Sequence, residues 1–152
     1  SATISATMSE NFLRNIIIVG GGAGGFFAAL RAAEILRAQG KDARIQIFEM
    51  SESGLKKVRI SGGGRCNVTH NIFESRRFAS NYPRGEKELL SPFQRFQAQN
   101  TVEWFEKRGV KLKAESDGRM FPVTDSSQTS IDCFLNEAKR LDVATIKTKR
   151  KS

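Results

Sequence analysis

Six small residues in a row, Gly20, Gly21, Gly22, Ala23, Gly24 and Gly25, read as G-x-G-x-x-G. Glycine at position 20 permits a tight turn out of a strand, and glycine at 22 lets backbone amides approach a pyrophosphate. Glycine at 25 lets a helix pack close to the sheet, so that its N-terminal amides and dipole face an anion. The motif alone is unspecific, and a ligand-free turn could also use glycine. Six glycine or alanine residues in succession are more than a turn needs. The context is stronger: Gly25 lies 24 residues before Glu49, at the end of the next apolar segment. A carboxylate there binds ribose hydroxyls and repels a 2′-phosphate. The pattern therefore predicts a dinucleotide site, disfavours NADP, and leaves NAD and FAD open. The competing reading of Glu49 is a solvated acid at a strand end.

A second group is Ser61, Gly62, Gly63, Gly64, Arg65, Cys66 and Asn67. Three glycines beside a hydroxyl, a guanidinium, a thiol and an amide make a backbone that can press against a flat or anionic ligand. Lys56, Lys57 and Arg59 add positive charge just upstream, and Arg65 could pair bidentately with a phosphate. Read on residue types alone, a ligand-binding loop competes with a flexible basic loop. His70, the single histidine, could donate a proton nearby, but a surface role is simpler. Cys66 has a cationic neighbour that would favour thiolate, yet no partner cysteine at C-x-x-C spacing; packing or ligand contact is the better reading. With two cysteines and one histidine, zinc has almost no ligands, and no metal site is expected.

Stepping outward, Asn15–Val19 is β-branched and uniformly apolar, which predicts a parallel strand covered on both faces. Phe26–Gln39 is rich in Ala and Leu and predicts a helix, with Gly40 as its C-terminal cap. Ala43–Glu49 is a second strand, which completes one right-handed βαβ unit. Residues 51–97, broken by the Ser61–Gly64 glycines and by Pro83 and Pro92, read as an irregular, ligand-contacting excursion. Regularity returns with a capping pattern at Asn100 and Glu103, a helix Thr101–Arg108, and Gly109. Val110–Glu115 and Arg119–Val123 flank a hairpin signal at Ser116, Asp117 and Gly118. Asp125 and Gln128 suggest a further cap before a helix to about Leu141, whose apolar face is Ile131, Phe134, Leu135, Ala138 and Leu141. Val143–Ile146 is a last strand. Trp104 and Phe105 read as core.

The fold class is thus α/β, a three-layer Rossmann-like dinucleotide-binding fold, incomplete at its C-terminus. Residues 1–14 form a flexible leader, 15–147 the domain, and 148–152 a basic tail. The 152 residues include 39% hydrophobic and 27% charged residues, enough for a core. No run approaches the ~20 apolar residues of a membrane span, so the expectation is a soluble, intracellular protein, cytoplasmic or organellar. The small hydroxylated residues at the start suit either a transit-peptide remnant or a short disordered terminus. The net charge is +9. Residues 51–113 carry thirteen Lys/Arg against six Asp/Glu, and residues 139–152 six against one. Such a surface could bind nucleic acid, but no nucleic-acid motif accompanies it and that partner is disfavoured.

The two motifs together carry a resemblance. Ile17–Ala23 followed by Ile60–Thr69 is similar to the FAD-dependent flavoprotein family that includes aminoacetone oxidase-type and bile-acid-reductase-like enzymes. The likeness continues through Tyr82–Arg84, Ser91–Phe93, Glu106–Lys113, Gly118–Pro122, Asp125–Gln128 and Leu135–Lys139, roughly residues 15–147. The run Ser61–Asn67 is highly specific to that family. The resemblance implies that Gly20, Gly22, Ala23, Gly24 and Gly25 hold the FAD diphosphate. It places Glu49 at the adenosine ribose and Ser61–Asn67 along the flavin, and Met50 and Lys57 are expected to contact the cofactor as well. Family members are much longer, with a substrate domain and a C-terminal segment closing over the flavin, which implies weak FAD affinity for this chain alone. The family commonly has Ala where Gly24 stands and Gly where Asp142 stands; the second departure should loosen a helix cap. The expected function is the FAD-binding portion of a flavin-dependent oxidoreductase of unknown substrate, acceptor and oligomeric state. The rivals are a catalytically empty basic module contacting nucleic acid or an acidic partner, and an NAD-binding dehydrogenase domain.

Overall fold

The computed structural model describes residues 14–148. The expected flexible leader and basic tail therefore lie almost wholly outside the described residues. The chain is an α/β Rossmann fold whose parallel sheet has the order β1–β2–β6. Strand β1 is Arg14–Val19, β2 is Ala43–Glu49 and β6 is Val143–Lys147. Central β2 pairs Ile45 with both Ile16 and Val143. Helix α1 (Ala23–Ala38) lies across this sheet and contacts all three strands. It buries Phe26, Ala29, Leu30 and Ala33, one face at helical spacing, against Ile45 and Ile47. Each such fully buried large side chain contributes about 1.5–3 kcal/mol.

β1 is covered on one face only, contrary to expectation. Ile16 and Ile18 pack into the core, whereas Ile17 and Val19 are 60% and 86% exposed. Alternation along the strand sends them to the opposite face, and no described element covers it there.

The excursion after β2 is far more regular than its composition predicts. It contains α2 (Lys56–Ile60), a 3-10 turn (Ser61–Gly64), β3 (Thr69–His70), α3 (Ser75–Ala79) and α4 (Glu86–Arg95). Pro92 sits inside α4. Helix α3 starts because the Glu74 carboxylate accepts the amides of Arg76 and Arg77 at 2.9 and 2.7 Å. Helix α5 (Ala98–Glu106) begins earlier than expected, since Asn100 is its third residue and accepts the Gln97 amide at 2.9 Å. β4 (Leu112–Ala114) and β5 (Arg119–Pro122) form the expected hairpin. β3 joins it as a third strand, giving the antiparallel order β3–β5–β4.

Helix α6 (Ser127–Arg140) is capped by Ser126, whose hydroxyl accepts the Gln128 amide at 3.3 Å, and not by Asp125. Asp125 instead turns toward Lys113 and Arg65. The buried stripe of α6 includes Ser130, Ile131, Phe134 and Ala138, and leaves Leu135 47% exposed on its flank. Phe134 packs against Phe26, Phe27, Trp104 and Phe105 at centroid distances of 5.2–5.8 Å, joining α1, α5 and α6. The Arg108 guanidinium stacks on Trp104 at 4.0 Å and reaches Glu34 at 2.6 Å and Glu137 at 2.9 Å, which ties the same three helices by charge. Among the described residues, no helix is long and apolar enough to cross a membrane.

A Cβ at Gly25 would lie 2.0 Å from the Gly20 carbonyl oxygen. Gly25→Ala should therefore force α1 off β1 and lower stability by about 2 kcal/mol or more, measured by urea denaturation. Asp142, after α6, adopts φ +55° in the left-handed region, where glycine is at ease. Asp142→Gly should raise the thermal midpoint, with a gain of about 0.5–1 kcal/mol; an unchanged or lower midpoint would show the cap is unstrained.

Candidate functional site

The glycine loop sits at the carboxyl ends of β1 and β2, where open α/β sheets bind their ligands. The Gly20 amide donates to the Phe48 carbonyl at 2.8 Å and extends the ladder by one residue. Gly20 takes φ +103°, so the turn out of the strand requires glycine. The second half of the loop is already helical. Gly22 is the N-cap of α1, and Ala23, Gly24 and Gly25 form its first turn. No side chain caps that end and no acid lies in its first turn. Gly22 and Gly24 are exposed, and a Cβ at either would meet nothing within 4 Å. The result is a bare, glycine-faced helix N-terminus, with amides and dipole available to an anion.

Glu49 closes the loop from beside it. One carboxylate oxygen accepts the Gly21 amide at 2.5 Å and the other the Ser51 amide at 2.6 Å. Hydrogen bonds from Ser51, through side chain and amide, and from Gly21 hold this carboxyl below its ordinary 4.5. Each oxygen keeps a lone pair for a further donor. The carboxylate thus positions the loop while retaining acceptor capacity toward a hydroxylated ligand. Met50, next in the chain, is 72% exposed.

Gly21 was given no role by spacing, yet it is the joint of the site. Its amide holds Glu49, its carbonyl accepts the Leu55 amide at 2.7 Å, and a Cβ on it would fall 2.9 Å from the Glu49 carboxylate. Leu55 is buried with φ +60° and starts α2. The segment 51–55 is thereby folded onto the glycine loop. α2 rises only about 7.5 Å over its five residues, so the second motif begins one short helix away from the first. Only Gly54, in the Ser-Glu-Ser-Gly stretch, hinted at this turn.

The second motif is a strained, glycine-dependent turn. Gly62, Gly63 and Gly64 have φ +57°, +67° and +86°, and Cys66 has φ +64°. A Cβ at Gly62 would lie 2.6 Å from the Phe121 ring, while Gly63 has open space around it. Gly63, Gly64, Asn67 and Lys57 are exposed; Ser61 is half-buried and donates to the Val58 carbonyl at 3.0 Å. Cys66 is buried, in keeping with packing. Arg65 is not held free for a phosphate. Its guanidinium bonds Glu115 and stacks over Phe121 at 4.0 Å, so it fastens the turn to the β4–β5 hairpin. The Ser127 hydroxyl donates to the Arg59 carbonyl at 2.9 Å and binds α2 to α6. His70 is occupied too, its Nε2 lying 2.9 Å from the Asp117 carbonyl under the hairpin turn.

The depressed Glu49 carboxyl has a pH consequence. A group whose folded value lies below its unfolded one stabilises the fold above the unfolded value and loses that contribution as pH falls through the folded one. The stability advantage of the native chain over Glu49→Gln should be full above about pH 4.5 and shrink below it. Urea midpoints of both proteins from pH 7 to pH 3 measure this, and a gap that stays constant would mean Glu49 does not carry it.

Comparison with known proteins agrees with this geometry. Over 131 residues the chain is 30% identical to a 3-dehydro-bile acid delta(4,6)-reductase of Clostridium scindens, covering 86% of this chain and 30% of that protein. Over 127 residues it is 28% identical to a ribosomal RNA dihydrouridine synthase of Escherichia coli, covering 84% of this chain and 29% of that protein. The chain therefore spans about 30% of the length of these curated relatives. Residues 14–152 match the model of the HI0933-like protein Rossmann domain, and the chain belongs to that family.

Proposed function

We propose that this chain is the FAD-binding portion of a flavin-dependent oxidoreductase. The observation that carries the reading is the uncapped α1 N-terminus, faced by Gly22 and Gly24 and flanked by Glu49 at the end of β2. In this reading the first-turn amides of α1 hold the diphosphate, and Glu49 accepts from the adenosine ribose. The exposed backbone of Gly63 and Gly64 and the Asn67 amide line the flavin side. Arg65 and Cys66 act from behind, the first by tying the turn to Glu115, the second by packing beneath it. The flavin, when bound, supplies the redox chemistry; the residues of this chain bind it, orient it and set the charge around it.

The substrate reading follows charge. One relative is named for a bile acid and the other for ribosomal RNA. A net charge of +9 on 152 residues complements a polyanion better than a bile acid. RNA, disfavoured on sequence alone for want of a nucleic-acid motif, is the substrate class we favour once one relative is named for ribosomal RNA.

Two glycines of the loop, Gly22 and Gly24, separate folding from binding. Gly22→Ala meets open space at φ −84°, so it should fold normally and yet weaken FAD binding at least tenfold by blocking the amides. Gly24→Ala should bind as before and gain about 0.5 kcal/mol in helix stability. FAD titration followed by flavin fluorescence measures both, with NAD as control, in this chain and in a protein of the relatives' length. The chain alone should bind more weakly than micromolar. No flavin bands and no FAD-dependent stabilisation in the longer protein would overturn the reading.

A further inference from the structure

The charge excess is concentrated in one part of the fold. Residues 56–95 carry nine Lys/Arg against three Asp/Glu, six of the net +9. Helices α3 and α4 pack on each other through their own small core, Phe78, Tyr82 and Phe93, at centroid distances of 4.7–5.9 Å. The Ser75 hydroxyl donates to the Phe93 carbonyl at 3.0 Å and closes the pair. Phe78 and Phe93 are half-buried between the helices, Tyr82 is exposed at their edge, and Arg76, Arg77, Arg84, Lys87 and Arg95 are all exposed. Among the described residues, none of these five cations lies within ion-pair distance of a carboxylate, whereas Arg65, Lys107, Arg108, Lys113, Arg119 and Arg140 all do. The acids of the hairpin are engaged or segregated. Glu74 caps α3, and Glu86 and Glu88 sit in the first turn of α4, where they offset its dipole.

The far end of the hairpin opens on a cleft. Arg95 and Phe96 end α4 on the wall of a cavity of about 760 Å³ that is also lined by Phe27, Trp104 and the ion pairs Arg31–Glu34 and Lys107–Glu103. Phe96 is 45% exposed and meets Phe27 edge-on at 6.1 Å. No residue of the glycine loop or of Ser61–Asn67 lines this cleft. Unpaired guanidinium groups suit phosphates, and an exposed ring beside them offers an unpaired base a face on which to stack.

We propose that the α3–α4 hairpin and the adjoining Phe96 cleft form a docking surface for single-stranded RNA. The hairpin cations take the backbone phosphates, and Phe96 stacks an unpaired base at the cleft mouth. The proposal rests on the RNA reading of the substrate, and it deepens that reading by naming the surface. The exposed ring and the four arginines among five cations suit RNA, which offers phosphates to the guanidinium forks and base faces to the ring.

The test uses the full chain, without flavin, and a fluorescein-labelled single-stranded RNA followed by anisotropy across a salt series. Five phosphate contacts predict a slope of log K against log salt near −3.5, at ~0.7 per phosphate. Arg84→Glu with Arg95→Glu should weaken binding more than tenfold and flatten the slope. Lys41→Glu with Lys139→Glu, an equal charge change elsewhere on the exposed surface, should change affinity less than threefold. Phe96→Ala should lose about five- to tenfold at an unchanged slope. Arg84→Gln with Arg95→Gln repeats the test if the reversal lowers helicity by circular dichroism. Equal losses from the two charge-reversal pairs would overturn the proposal. So would full affinity in Phe96→Ala, or equal competition by polyglutamate or phosphatidylserine vesicles. FAD titration of the same variants keeps the outcomes apart, since RNA binding lost with FAD binding intact concerns the hairpin alone.

Discussion

The first turn of α1 can approach the end of β1 only because Gly25 has no side chain. A single methyl group there would overlap the Gly20 carbonyl at 2.0 Å. Everything at the site inherits this closeness. It sets the depth at which α1 crosses the sheet and brings Phe26 and Leu30 onto Ile45 and Ile47. It also leaves the α1 amides uncapped at the strand ends. A helix that must expose its N-terminus loses the stabilisation a capping side chain would contribute, about 1 kcal/mol. The chain tolerates that loss where an anion can take the place of the cap.

Carboxylates act here chiefly as positioning groups. Glu49 receives amides from Gly21 and Ser51, Glu74 receives two amides of α3, and Glu115 holds the Arg65 guanidinium. Glu34 and Glu137 share Arg108 above Trp104. Among the described residues, acids so engaged leave the hairpin cations without partners, and the basic character of the chain appears as a local surface. Pairing, more than composition, decides where net charge is felt.

Much of the fold was legible because its signals are local. A β-branched run, a glycine loop, an Ala-rich helix and an acid 24 residues on could be read from spacing, and each lies where spacing put it. Boundaries moved where side chains chose different caps. α1 begins at Ala23 because glycines can start a helix, and Ser126 displaced Asp125, whose carboxylate was drawn to Lys113 and Arg65. The excursion 51–97 was read as irregular because its helices are short and their pairing partners distant. Short helices are held by tertiary contacts such as Phe78 on Phe93, which no periodicity announces.

By itself the sequence determined the α/β class, the βαβ opening, the glycine positions at the strand end and the acid beside them. These follow from backbone sterics and from hydrogen bonding over a few residues, and such rules are written in residue type and order. Only the tertiary structure decided that Gly21 joins Glu49 to Leu55 and that Arg65 serves Glu115. It alone showed that, among the described residues, β1 is covered on one side and five hairpin cations stand unpaired. These contacts, and the absence of contact, depend on which of many distant partners comes within about 4 Å. That choice is made by packing the whole core, and no local pattern contains it.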